Sequence, residues 1–341
     1  MNKNLIIGII VLVLLGIGSY YYSISTKKVG EETQGMVKSL SAKYAGKKIL
    51  YIDSYHEGYA WSDGITKGVR TTLERTGIDL RVHRMDTKNN PTEDFKKQAG
   101  VQAKAVIEEF EPDVVLLSDD NAVNYVLAEF YRNASLLFIY SGLNWDSSLY
   151  GLPYSNTAGM VEISLTNQLI DRLKQYAQGN RIGYLSADTE TERKNLENYN
   201  KLLKLSFEKF YFVKTLAEWK DAFERLQSEV DMIIFENNAG ISDWNDEEAE
   251  KFALENLKVP AGTLNDWIMK TVLIGYTKVP EEQGEYMAET ALKIFDGTAV
   301  GNIPEVTNKK GDLMINLKIA KKLNLAIAPA MIRAAKNIFN E

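Results

Sequence analysis

The chain has 341 residues, with 40 Lys and Arg against 46 Asp and Glu, a net charge of −6 and 45% hydrophobic residues. This is the balance of a folded chain of one or two domains, and with no basic stripe interleaved with aromatics it argues against a nucleic-acid partner. The absence of cysteine excludes disulfides, thiolate metal sites, thiol catalysis and a lipid-modified cysteine. With His56 and His83 as the only histidines, an imidazole-based metal site is not expected.

The N-terminus opens with Lys3 and an uninterrupted apolar stretch from Leu5 to Gly18, followed by Tyr20, Tyr21 and Tyr22 and then by Lys27 and Lys28. A charged start and a short apolar core resemble a secretory signal. The small-residue cleavage pattern is poor, with Gly16-Ile17-Gly18 as the one candidate. Leu5 to Ile24 supplies about twenty residues, enough to cross a bilayer, and the tyrosines fit an interfacial aromatic belt. Residues 1–24 are read as an uncleaved membrane anchor, with a cleaved signal as the rival. Either reading takes the rest of the chain out of the cytoplasm. Residues 25–46 are polar and read as a spacer.

From residue 47 an apolar run, Ile49-Leu50-Tyr51-Ile52, predicts a buried strand. The polar and aromatic stretch 53–63 predicts the loop after it, and Ile65, Val69 and Leu73 predict a helix over 64–75. The pattern then repeats, with a strand over 79–85, a helix over 93–110 stopped by Pro112, a strand over 114–117, a helix over 122–131 and a strand over 136–140. After an extended piece at 157–161 it restarts. Helices are predicted over 163–177, 190–205, 216–230 (capped by Thr215) and 246–256. Strands are predicted over 181–185, 210–213 and 232–235, from 259, and over 273–276. A helix over 280–295, a turn-rich crossing at 297–304, a strand over 313–316, a helical turn at 319–323 and a helix over 330–339 complete the chain. Strands alternating with helices imply parallel βαβ units, and the second set is as long as the first, so two α/β lobes of similar build are expected.

In open α/β sheets ligands bind at the carboxyl ends of the strands, and there the hydrogen-bonding and aromatic residues of this chain collect. The candidate ligand contacts are Ser54, Tyr55, His56, Tyr59, Trp61, Asp119, Asp120, Asn121, Asn144 and Trp145 in the first set, and Asp188, Glu236, Asn237 and Asn238 in the second. Asp86, Thr189, Asn265, Asp266 and Trp267 occupy similar positions. If the two lobes face each other, these groups line one cleft suited to a small polar ligand. Tyr55, Tyr59 and Trp61 offer stacking surface. Asp119, Asp120 or Glu236 could pair an ammonium group, and Asn121, Asn144 and Asn237 could bond carboxyl or amide groups. Each has a structural alternative. Asp119-Asp120-Asn121 can cap a helix, Glu236-Asn237-Asn238 can form a turn, Trp145 and Trp267 can be core, and His56 can be an ordinary loop residue; His83 is read as structural. Asp119 and Asp120 are adjacent and on a strand would point opposite ways. No phosphate-cradling glycine loop, nucleophile elbow or nucleophile–base set is present, so neither an enzyme nor a cofactor is expected.

The opening Ser54-Tyr55-His56-Glu57-Gly58-Tyr59-Ala60-Trp61, the run Ser118-Asp119-Asp120-Asn121, Gly142-Leu143-Asn144-Trp145, Val279-Pro280-Glu281-Glu282-Gln283-Gly284, Ile303-Pro304 and 316–323 together resemble the extracytoplasmic solute-binding proteins of ABC transporters. The resemblance implies a type I periplasmic-binding fold: two Rossmann-like lobes joined by a three-crossing hinge, with crossings near residues 157, 277 and 302. It implies lobe 1 over 47–157 plus 277–301 and lobe 2 over 158–276 plus 302–341. It also implies an amino-acid-like or other small polar ligand between the lobes and an ABC permease as partner. Related domains serve as sensors outside receptor kinases, so a membrane-tethered sensor acting on a signalling partner is the alternative. Many members of the family are lipoproteins; the missing cysteine departs from that pattern.

Overall fold

The computed structural model describes residues 43–340. The predicted anchor, 1–24, and nearly all of the predicted spacer lie outside them. Among the described residues no helix is long and apolar enough to cross a membrane. The chain forms two compact units. Of the described residues, unit 1 holds 43–141, Ser148–Gly159 and Gly284–Pro304, and unit 2 holds Gly142–Ser147, Met160–Gln283 and 305–340.

The elements follow in chain order: β1 (Lys48–Asp53), α1 (Ala60–Leu73), β2 (Asp79–Arg84), α2 (Glu93–Phe110), β3 (Val114–Ser118), α3 (Asp119–Ala122), a π-turn Val123–Leu127, α4 (Ala128–Phe130), β4 (Leu137–Asn144) and β5 (Thr157–Glu162). Next come α5 (Thr166–Leu173), β6 (Ile182–Ala187), α6 (Glu190–Lys201), β7 (Lys209–Val213), α7 (Leu216–Glu229), β8 (Met232–Phe235), α8 (Asp246–Asn256), β9 (Ala261–Thr263) and β10 (Ile274–Lys278). The chain closes with α9 (Pro280–Phe295), β11 (Val306–Thr307), β12 (Gly311–Asn316), α10 (Leu317–Lys322), α11 (Pro329–Ala334) and β13 (Asn337–Phe339).

The first sheet has the order β11-β5-β4-β3-β1-β2 and the second β13-β12-β10-β9-β8-β6-β7. The pairs β1–β2, β1–β3 and β3–β4 are parallel, as are β6–β7, β6–β8 and β8–β9, whereas β10–β12 is antiparallel. All five residues of β3 and all four of β8 are buried. This is why they read as unbroken apolar runs: a parallel strand covered by helices on both faces has no polar side.

In unit 1, Ile65, Val69 and Leu73 of α1 pack with Ile49, Tyr51, Val114, Leu116 and Ile139, and with Met287, Ala288 and Ala291 of α9. Gly284 lets α9 approach α1 closely, because a Cβ there would fall inside contact distance of the Ile65 carbonyl. The core of unit 2 centres on Trp219, whose ring centroid lies 4.9 Å from Phe223 and 5.6 Å from Phe235. Thr92, Thr189, Thr215, Asn245 and Asn316 cap the helices that follow them, each accepting from a backbone N–H three residues on. Such a cap contributes about 1 kcal/mol.

Three local expectations are corrected. First, α1 begins at Ala60, so Trp61, Ser62 and Asp63 lie on its first turn rather than in the loop. The signal was hidden because Tyr59 occupies the N-cap position without a side-chain cap bond. Second, β4 continues through Gly142 and Leu143 to Asn144; paired strand neighbours override the low strand propensity of glycine. Third, the predicted C-terminal helix stops at Ala334, and Asn337–Phe339 pairs in parallel with β12. The short apolar run 337–339 is equally compatible with either period.

Candidate functional site

In unit 1, the polar groups at the ends of β1, β2 and β3 form one bonded network. Asp53, fully buried, accepts from Ser62 Oγ at 2.8 Å, from the Tyr55 amide at 3.0 Å and from Arg84 Nη1 at 2.5 Å. Ser54 Oγ donates to the Ser118 carbonyl at 2.6 Å and accepts the Ala122 amide at 2.8 Å. Thr87 Oγ1 donates to the Ser54 carbonyl at 2.6 Å and accepts from Asn121 Nδ2 at 2.8 Å. Ser54 and Asn121 therefore hold three strand ends together. Satisfied buried bonds of this kind make the frame rigid.

Around this frame stand the aromatics. Tyr55 and Tyr59 meet edge to face with centroids 5.4 Å apart, His56 lies 5.9 Å from Tyr59, and the Lys88 ammonium sits 5.3 Å and 5.0 Å from the two tyrosine rings. His56 Nδ1 lies 2.9 Å from the Glu57 carbonyl. Trp61 Nε1 donates to Asp119 Oδ1 at 3.3 Å. Asp119 is 3% exposed, while Asp120 accepts from Tyr150 Oη at 2.7 Å. The two neighbouring carboxylates thus bond different aromatic side chains, Trp61 and Tyr150. Burial, then the bond to Asp120, raises the pKa of Tyr150, so its hydroxyl stays a donor.

Unit 2 carries a second cluster at the ends of β6 and β8. Glu192, on the first turn of α6, is buried; its Oε1 accepts from Asn237 Nδ2 at 3.0 Å and its Oε2 from Tyr184 Oη at 3.2 Å and Asn195 Nδ2 at 3.3 Å. Asn195 Oδ1 in turn accepts from Trp145 Nε1 at 3.3 Å, and the Trp145 ring meets Tyr199 edge to face at 5.4 Å. Glu236 is 5% exposed, and its Oε2 has no hydrogen-bond partner among the described residues. Burial, followed by the charge of Glu192, pushes its carboxyl up to about 8 against the smaller opposing influence of the Tyr199 hydroxyl and Lys278. Lys278 forms an ion pair with Glu162. Tyr184 and Tyr199 are raised well above the usual phenol value, by burial first and Glu236 second, so both remain neutral.

The remaining candidates are arranged differently. Asp188 is engaged by Arg193 at 2.6 Å and Lys214 at 3.5 Å, and Arg193 draws its pKa below the usual carboxylate range. Asn238 accepts from the indole of Trp267, which is 56% exposed and so is not core. Asn144 is exposed at the end of β4, and its carbonyl accepts the Asp146 amide. His83 is half-buried on β2, and burial lowers its pKa.

Sequence reasoning missed Glu192, Asn195 and Tyr199, and in unit 1 Asp53 and Arg84. The signal for the first three was their spacing: residues three and four apart on one helix share a face. Three strand-end residues, Asp86, Asp119 and Trp145, adopt positive φ of 53°, 67° and 67°. Aspartate tolerates this region, but a bulky tryptophan does so rarely, and such backbone strain collects at ligand-binding positions.

Residues 152–338, more than half of the chain, match the family model described as ABC transporter substrate binding protein. No curated protein matches the sequence. Among solved structures, the ligand-free, open form of CD0873 from Clostridium difficile, a substrate binding protein with adhesive properties, superposes with a TM-score of 0.67 at 16% identity, over 86% of this chain and 100% of that one. An ABC domain from Streptococcus pneumonia in complex with L-Trp gives 0.50 at 16% identity, over 86% of this chain and 100% of that one. A periplasmic ribose ABC transporter protein from Conexibacter woesei gives 0.50 at 14% identity, over 86% and 98%. The two-sheet α/β architecture is that of type I periplasmic binding proteins. Together with the match over 152–338, this makes the chain a member of the ABC transporter substrate binding protein family.

Proposed function

We propose that this substrate-binding protein works outside the cytoplasm, takes a small polar or amino-acid-like solute and delivers it to an ABC permease, without catalysis. The observation that carries the ligand class is the composition of the two strand-end clusters. Each combines buried carboxylates with neutral hydrogen-bond donors and with aromatic rings at its edge. Solute contacts are drawn from Ser54, Tyr55, His56, Tyr59, Trp61, Asp119, Asp120 and Asn121 on unit 1, and from Asn144, Trp145, Glu236, Asn237 and Asn238 on unit 2. Asp188 is the weakest member, because two cations already engage it. Aromatic rings suit planar side chains, and an L-Trp complex among the similar structures supports including aromatic amino acids among the ligands tested.

The test is thermal melting of the full chain against amino acids, sugars and small metabolites. A ligand present at 100 times its Kd stabilises by about 2.7 kcal/mol, a shift of a few degrees. No shift with any amino-acid-like compound removes the ligand class.

The apolar stretch 5–24 and the absence of a lipid-modifiable cysteine favour membrane attachment by a retained N-terminal helix, and with it a second reading, a tethered sensor acting on a signalling partner. Crosslinking in membranes separates the two: a permease is captured under the first reading and a signalling receptor under the second.

A further inference from the structure

The Glu236 carboxyl is the unusual group of unit 2. It sits at the end of β8, its backbone carbonyl held by the Asn265 amide and its backbone N–H donating to the Leu185 carbonyl at 2.9 Å. The side chain is nineteen-twentieths buried, with Oε2 lacking any hydrogen-bond partner among the described residues. The groups that face it are Glu192 and Tyr199 from α6, Tyr184 from β6 and Lys278 from β10. None of them supplies a hydrogen bond to Oε2. Glu192 is a like charge whose own oxygens are occupied by Asn237, Tyr184 and Asn195. The Tyr199 hydroxyl, shared with Ser164 Oγ at 3.4 Å, gives Glu236 a neutral hydrogen bond but leaves Oε2 without one, and Lys278 is paired with Glu162.

A buried carboxylate with one oxygen left without a donor is disfavoured as an anion. It has two ways out: it keeps its proton, or it receives a cation with N–H donors. A primary ammonium supplies one charge and three donors. A sugar hydroxyl supplies a donor without the charge.

We propose that Glu236 is the specificity-determining residue of this cluster, holding a proton in the ligand-free protein and giving it up to solvent when the ammonium group of a solute takes its place. The proton lost from the carboxyl balances the positive charge brought in, so the buried site never carries an unpaired anion. This deepens the amino-acid-like reading above and rests on it. The consequence is proton-linked binding: affinity rises about tenfold per pH unit up to the carboxyl's pKa and levels off above it.

The experiment is isothermal titration of the full chain between pH 6 and 8, in phosphate and in imidazole, which differ in ionisation enthalpy. The probes are L-tryptophan, L-tyrosine and L-leucine, the deaminated acid of each, and D-ribose. Carbon-13 detection of the glutamate carboxyls in the ligand-free protein, wild type against Glu236→Gln, identifies the Glu236 titration separately. Expected are a Glu236 titration well above the usual glutamate range and binding of an amino acid but not its deaminated partner. Close to one proton should be released per ligand at pH 6. In Glu236→Gln the proton release disappears and the affinity becomes flat with pH. An amino acid that binds without proton release, and equally well to Glu236→Gln, overturns this inference and leaves the proposed ligand class standing. So does a Glu236 carboxyl that titrates near 4.5. Binding of ribose alone, or of no probe at any pH, overturns the ligand class and this inference together.

Discussion

The side-chain amide of Asn237 donates to Oε1 of Glu192 at 3.0 Å, while Oε2 of the adjacent Glu236 is left without a donor among the described residues. Two carboxylates in one buried site cannot both ionise cheaply. Glu192 accepts from three donors, whereas Oε2 of Glu236 has none among the described residues, and burial pushes that carboxyl up to about 8.

Folding stability should therefore fall as pH rises. The Glu236 pKa is raised from 4.5 to about 8 on folding, so the folded state binds the proton more tightly. Its contribution is fully present below pH 4.5 and is lost progressively up to about pH 8. His83 acts in the opposite sense. Burial lowers its pKa, so it disfavours the folded state as pH falls below 6.5. Urea unfolding of wild type and Glu236→Gln across this range isolates the glutamate. The variant should become the more stable of the two toward pH 8, and parallel curves would show that Glu236 is not protonated.

Arg84→Ala should destabilise unit 1 by about 3 kcal/mol, because it leaves the fully buried Asp53 without its cation. Asp53→Asn should cost less, since it removes the buried charge at the same time. Chemical denaturation of both variants checks the order.

Trp145→Phe keeps an aromatic ring against Tyr199 and deletes the donor to Asn195. A loss of about 1 kcal/mol is expected. Combined with Asn195→Ala in a double-mutant cycle, the two losses should not add, because they remove the same bond.

Gly284→Ala should destabilise unit 1 by about 1–3 kcal/mol through overpacking. The added methyl meets the backbone of Ile65 and Val69, which cannot rotate away. Thermal melting reads the effect, and an unchanged midpoint would mean that α9 shifts to accommodate it.

Strand-to-helix alternation and the existence of two α/β sets were legible in the residues. Buried parallel strands leave unbroken apolar runs such as 114–117 and 232–235, and helix α9 was readable from Pro280 to Phe295. Strand-end loops were equally legible as the place where Ser54, Asp119 and Glu236 collect, because polar residues interrupt an apolar run where the strand ends. Both are local properties, carried by neighbours within a few positions. What meets what was decided by tertiary structure alone. Asp53 finds Arg84 from the adjacent strand, Trp145 finds Asn195 fifty residues on, and Glu236 lies against Glu192 of α6. Charge, burial and the number of donors left over depend on distances through space, and those exist only once the strands have taken their order in the sheet.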